Sequence, residues 1–251
     1  MNNPFTDINN GVVLAELGGY GDGPYCAHYG AGAALALLGT YIVDAGDQVP
    51  YPPNFVFKPG RTYYQDYLRE HVAKARQGAQ RVGVSVICVD PADDIDFLQA
   101  AQVAGADYLS LCLHSVMAIF VSRGLSSAML RREHWPRLRE HLAAILQAVE
   151  RPLIVKIAAS DTPDSLGAVE QLVDVGVKIV HANVGNAVDQ YGVTLIRKLH
   201  ERCPFLIIGG GIRTSEHARA VIDSGADAVA VGTAAMSDPT LCGRLQAALR
   251  G

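Results

Sequence analysis

Cysteines at metal or redox spacing are missing from this chain. Its five, at positions 26, 88, 112, 203 and 242, are odd in number and none forms a C-x-x-C pair. A disulfide framework or a zinc site is therefore not expected, and a reducing compartment fits. There is no basic block, no Lys/Arg stripe and no basic patch interleaved with aromatics, and the formal net charge is −4. A nucleic-acid partner is not expected on those grounds. No apolar run approaches the length needed to span a bilayer. The N-terminal stretch MNNPFTDINN lacks the basic-then-apolar order of a secretory signal. The expectation is a cytoplasmic protein without a membrane partner. Motifs for iron–sulfur ligation or a dinucleotide fold are not visible, nor is any composition break that would divide the chain, so one domain is expected over residues 1–251.

What is present is a regular alternation. The chain has 251 residues, 49% of them hydrophobic, and apolar runs alternate with amphipathic segments eight times. The runs predict strands at 12–17, 34–38, 84–89, 108–113, 153–157, 177–181, 205–208 and 228–231. Near-continuous apolar strands alternating with helices imply a parallel sheet covered on its faces. Eight units at this length imply an α/β fold of one kind, a single (β/α)8 TIM barrel, with an open doubly wound sheet as the lesser option. Two connections are long, 39–61 and 114–134. Loops of that length are usually functional, so both are expected to cover the C-terminal face, the first as a lid.

The most telling stretch is FLIIGGGIRTSEHARAVIDSGADAVAVGTAAMSDP, residues 205–239. It reads as strand, glycine loop, helix capped by Thr214, strand, glycine loop. Glycines let the backbone approach a ligand, and amides at loop ends beside helix N-termini favour an anion. Two adjacent loops of this kind suit a phosphate held by Gly210, Gly211, Gly232 and Thr233; the plainer alternative is a pair of tight turns. Elsewhere, alternation along 108–114 sends Leu109, Leu111 and Leu113 to the helices and Ser110, Cys112 and His114 into the barrel. Lys156 lies inside the apolar run LIVKI, where a charge needs an anionic partner. Glu16 is the one carboxylate near a neighbouring strand end, and a bound ligand is the favoured partner. His181 shares that rim, as a core histidine or a ligand contact.

These residues resemble the FMN-dependent barrels of the tRNA-dihydrouridine synthase and dihydroorotate dehydrogenase group, and most closely a short, largely archaeal-type dihydrouridine-synthase-like branch. LAELGGYGDGPYC (14–26), RGLSSAML (123–130), VKI (155–157) and VH (180–181) are similar to synthase segments; the GGGI and GTA turns resemble the FMN phosphate site of dihydroorotate dehydrogenases. The resemblance implies FMN as cofactor, its phosphate on the two glycine turns and Lys156 against the N1/O2 edge of its ring. Glu16, Leu17, Ser85, His181 and Asn183 are the further cofactor-binding positions it implies. It also implies hydride transfer to or from a C–C bond of a small planar heterocycle, with Ser115, His114 and Cys112 as candidate proton donors or acceptors and Ser115 at the position of the synthases' catalytic cysteine. The departures are informative. Cys112 stands where the synthases have asparagine, Ser85 where they have glutamine, and Glu16-Leu17 where they have proline-methionine. Their tRNA-binding helical domain has no counterpart in these residues, so tRNA is not the expected substrate. A homodimer is left open. The competing functions are a flavin-free phosphate-binding lyase or isomerase and a catalytically degenerate FMN-binding barrel.

Overall fold

The apolar runs become strands because branched aliphatic side chains pack well on both faces of a parallel sheet. A computed structural model describes residues 4–43, 51–61 and 64–251. Its strands are β1 (Gly11–Leu14), β2 (Leu35–Val43), β3 (Val56–Phe57), β4 (Arg81–Ile87), β5 (Tyr108–Cys112), β6 (Leu153–Ala158), β7 (Ile179–Asn183), β8 (Leu206–Gly209) and β9 (Ala228–Val231). Every pairing between them is parallel, and β1 bonds to both β2 and β9, which closes the ring. The two-residue β3 is an addition on the flank of β2. Without it the sheet is the expected eight-stranded (β/α)8 TIM barrel.

The helices between strands are α1 (Gly23–Tyr29), α2 (Gln65–Ala75), α3 (Pro91–Val103), α4 (Ala118–Val121), α5 (Trp135–Ala148), α6 (Pro163–Asp174), α7 (Gln190–His200), α8 (Ser215–Asp223), α9 (Thr233–Met236) and α10 (Leu241–Arg250). Side chains at Asp22, Asp90, Thr162, Asp189 and Thr214 accept hydrogen bonds from backbone N–H groups of the first turns that follow them. Each such cap is worth roughly 1 kcal/mol. No helix among the described residues is long and apolar enough to cross a membrane.

The core has two layers. Inside the barrel, Val13, Leu35, Leu37, Ile154, Ile179 and Ile207 fill the space, with Ile8 and Phe205 in the same cluster. Between barrel and helices, Leu109, Leu111 and Leu113 pack with the helix side chains, as the alternation along 108–114 predicts. Because the interior is a packed apolar plug, ligand space is confined to the strands' C-terminal ends.

Both expected long loops contain regular structure. β2 does not stop at Gly39: it runs to Val43 through a register shift between Leu38 and Tyr41. The glycine that reads as a terminator marks a bulge instead. Pro53–Phe55 forms a 3₁₀ turn that leads into β3, while residues 44–50 of the expected lid lie outside the described residues. Phe55 stacks on Tyr41 with centroids 5.1 Å apart, and Phe57 meets Tyr64, Tyr67 and Phe97 within 5.8 Å. Residues 51–57 are thus pinned to the barrel wall by an aromatic cluster. The expected loop 114–134 carries α4 and 3₁₀ turns at Ser126–Leu130 and Arg132–His134.

Candidate active site

Parallel strands in register place like positions side by side. Ile87 pairs with Cys112, Cys112 with Lys156, and Lys156 with His181, so these four form one ring at the C-terminal end of the barrel. Below it lie Ser85 and Ser110, themselves register partners. Glu16 lies two residues beyond the end of β1, where the pleat no longer dictates direction, and its carboxylate turns into the barrel.

That carboxylate is the hub of the site. Glu16 Oε1 accepts from Ser85 Oγ at 3.2 Å and from Ser110 Oγ at 3.3 Å. Its Oε2 lies 3.2 Å from Lys156 Nζ and 3.7 Å from His181 Nδ1, and Lys156 Nζ also donates to the Glu16 carbonyl at 3.3 Å. Burial by itself would raise the Glu16 pKa; the charge of Lys156, His181 beside it and the hydrogen bonds outweigh that and hold it below the usual range. Glu16 is therefore ionised and pairs with Lys156. Burial, then the Lys156 charge, pull His181 down to about 3, so its ring is neutral. Burial and Lys156 lower His114 as well, and burial pushes the Cys112 thiol up and keeps it protonated.

A cavity of about 500 Å³ opens above this ring. Of the expected site residues, Glu16, Leu17, Cys112, His114, Ser115, Lys156, His181, Asn183, Gly210, Gly211, Gly232 and Thr233 all line it. Two expectations need correction. Ser85 is fully buried under Glu16 and does not line the cavity, because the inward position one register step below the ring is capped by that carboxylate. Lys156, expected to answer a ligand, already answers Glu16, although it still lines the cavity. Ser115 Oγ accepts only from the Met117 amide at 3.4 Å; no histidine or carboxylate contacts it among the described residues, so nothing activates it as a base.

The glycine turns form one end of the cavity, Gly210 to Arg213 after β8 and Gly232 to Ala234 after β9. Gly210 and Gly211 have φ of +125° and +70°, and a Cβ on Gly210 would stand 2.8 Å from the Gly185 carbonyl oxygen. Both positions demand glycine, so the backbone itself is the wall. Arg213 was not singled out by the sequence reading; a lone arginine inside GGGIRT was the available signal. It is exposed, lines the cavity and has no side-chain partner among the described residues. Tyr51 was also missed. It enters from the aromatic-pinned segment, and its hydroxyl fills the space a side chain on Gly18 would need.

A second buried cluster joins α3 to α5. His141 Nε2 lies 2.9 Å from Asp94 Oδ2, which also accepts from the Val89 amide at 3.1 Å. Cys88 Sγ is 3.8 Å from both ring nitrogens, so a thiol, a carboxylate and an imidazole lie within 4.8 Å of one another in this buried cluster.

A closed parallel barrel with a glycine-walled cavity at its C-terminal face defines the class of protein. The chain belongs to the IMP dehydrogenase / GMP reductase domain family, whose model matches residues 72–240. Among curated proteins it is similar to geranylgeranylglyceryl phosphate synthase from Methanopyrus kandleri, 36% identical over 76 residues. That match spans 30% of this chain and about a third (32%) of the relative's length. Among solved structures it is similar to DHODH from Eimeria tenella in complex with ferulenol, with TM-score 0.70 and 17% identity over 95% of this chain and 80% of that one. A FabK mutant from Thermotoga maritima gives TM-score 0.60 and 16% identity, covering 94% of this chain and 66% of that one. At these identities the two structures speak for the shared fold.

Proposed function

We propose that the cavity binds FMN and that the protein is a flavin-dependent oxidoreductase acting on a C–C bond of a small planar heterocycle. One observation carries the reading: a glycine-walled anion end with an uncommitted arginine and a lysine-bearing polar floor line the same cavity. A phosphorylated, ring-bearing ligand needs both ends. The donor set fits: turns without intervening side chains and Arg213 suit a phosphate, and Lys156 keeps an N–H for a carbonyl edge. Bound FMN would supply the hydride transfer.

The chain's own residues would do the rest. Gly210, Gly211, Gly232 and Thr233 hold the phosphate with backbone groups, and Arg213 adds charge. Lys156, fixed by Glu16 and kept from swinging, donates to the ring edge, while neutral His181 and Asn183 border it. His114 is the better candidate than Ser115 for moving the substrate proton, since Ser115 lacks a relay and the Cys112 thiol stays protonated. Tyr51, lining the cavity beside Gly18, helps exclude water. The family's own names denote redox chemistry on nucleoside monophosphates, which supports both the redox class and a phosphate-holding end.

A second reading, a flavin-free barrel holding a phosphorylated substrate on the same turns, is favoured by the internal pairing of Lys156 and by the phosphate named in the Methanopyrus relative. The absorption spectrum of the purified protein separates the two. Bands of oxidised flavin, lost together with phosphate affinity in Arg213→Ala, are expected; a colourless protein that takes up no FMN refutes the flavin reading.

A further inference from the structure

We infer that Glu16 sets the specificity of the cavity: by holding Lys156 it bars anionic groups from the floor, so the ring that reacts there is uncharged. The inference rests on the cavity being the ligand site and not on which ring system fills it.

Lys156 and Arg213 are the only lysine and arginine that line the cavity. Residues 1–3, 44–50 and 62–63, outside the described set, contain neither lysine nor arginine. The neighbouring histidines, His114 and His181, add no cation at neutral pH, because burial lowers both. Arg213 stands with the glycine turns, at the end suited to a phosphate. Lys156 is therefore the one cation available to the floor, and Glu16 Oε2 lies 3.2 Å from it.

An anionic substituent at the floor would have to draw Lys156 away from Glu16. The Glu16 side chain is fully buried, and its remaining contacts are two hydroxyl donors and a neutral histidine. Stripping such a carboxylate of its cation is strongly unfavourable. A neutral carbonyl meets no such barrier, since the ammonium donates a hydrogen bond to the Glu16 carbonyl, faces the carboxylate as an ion pair and keeps an N–H for it. The other groups around the floor, Thr40, Tyr51, Ile87, Cys112 and Met117, are uncharged. The floor thus accepts planar amides or enones and rejects their carboxylated analogues.

The test uses Glu16→Gln and, should that variant not fold, the equally long Glu16→Met. The absorption spectrum, recorded first, decides the flavin reading independently. In flavin-containing protein, removal of the compensating carboxylate should raise the flavin midpoint potential by about 30 mV or more, a tenfold change for a two-electron couple; an unchanged or lowered potential overturns the inference. In colourless protein, crystals soaked in bromide should show an anomalous peak beside Lys156 Nζ in the variant and none there in the wild type. A peak at Lys156 in the wild type, or its absence in the variant, overturns it equally.

Discussion

Lys156→Met removes the charge that keeps Glu16 ionised while preserving most of the stem that packs in the barrel. Breaking a buried pair from one side costs about 3–5 kcal/mol when the survivor stays charged. Glu16 has an escape, which is to take up a proton. For a carboxyl with an ordinary value of 4.5, protonation at pH 7 costs about 3.4 kcal/mol. That figure caps Glu16's own penalty in the variant at neutral pH, to which the stabilisation the wild type draws from its depressed Glu16 pKa is added; the cap falls by about 1.4 kcal/mol with each pH unit, to under roughly 1 kcal/mol at pH 5. The signs are opposite in the two proteins. In the wild type the Glu16 pKa is depressed, so its stabilisation is present above 4.5 and lost as pH falls through the folded value. In the variant the largest opposition to burial is gone, the folded value rises, and stability is lost as pH increases. Urea unfolding of both proteins at pH 5, 6 and 7 measures this. A stability difference that does not widen with pH, or one below about 1 kcal/mol at pH 7, would refute the hub described for Glu16.

Three further outcomes are expected. Gly210→Ala forces a side chain into a backbone at φ +125° and against the Gly185 carbonyl; it should cost roughly 1–3 kcal/mol in thermal or urea unfolding and release the phosphorylated ligand. Arg213→Ala touches no partner, so stability should stay within about 0.5 kcal/mol while affinity for inorganic phosphate, read by calorimetry, falls about tenfold. Burial pushes the Asp94 carboxyl up to about 6 despite His141 beside it; that group's stabilisation is full below 3.8 and is lost as pH rises through 6. Asp94→Asn should therefore flatten the wild type's decline in stability between pH 5 and 7, measured by urea midpoints, and an unchanged slope would count against the buried pair.

The barrel could be read from the chain because its signals are local. Alternation in 108–113 gave both faces of β5, and Thr214 before an apolar-periodic run gave the start of α8. The glycine turns carried their own signature. What could not be read depends on ring closure. Glu16 and Lys156 are 140 residues apart, and only the register from β1 round to β6 sets them 3.2 Å apart. Ser85 was expected at the cofactor because the resemblance sets it where the synthases have glutamine, and such a match does not show that the Glu16 carboxylate covers it. Gly39 looked like a strand end because a bulge and a terminator share the same residue.

Five segments of the chain, one just after β1 and the others on β4, β5, β6 and β7, send a polar side chain to one point. Their contributions cannot be independent: the effect of replacing any one depends on which of the other four remain. Sequence drift at this point should thus proceed by concerted exchange. A relative that has lost Glu16 should have altered Lys156 as well, or have recruited an anion to stand where the carboxylate was.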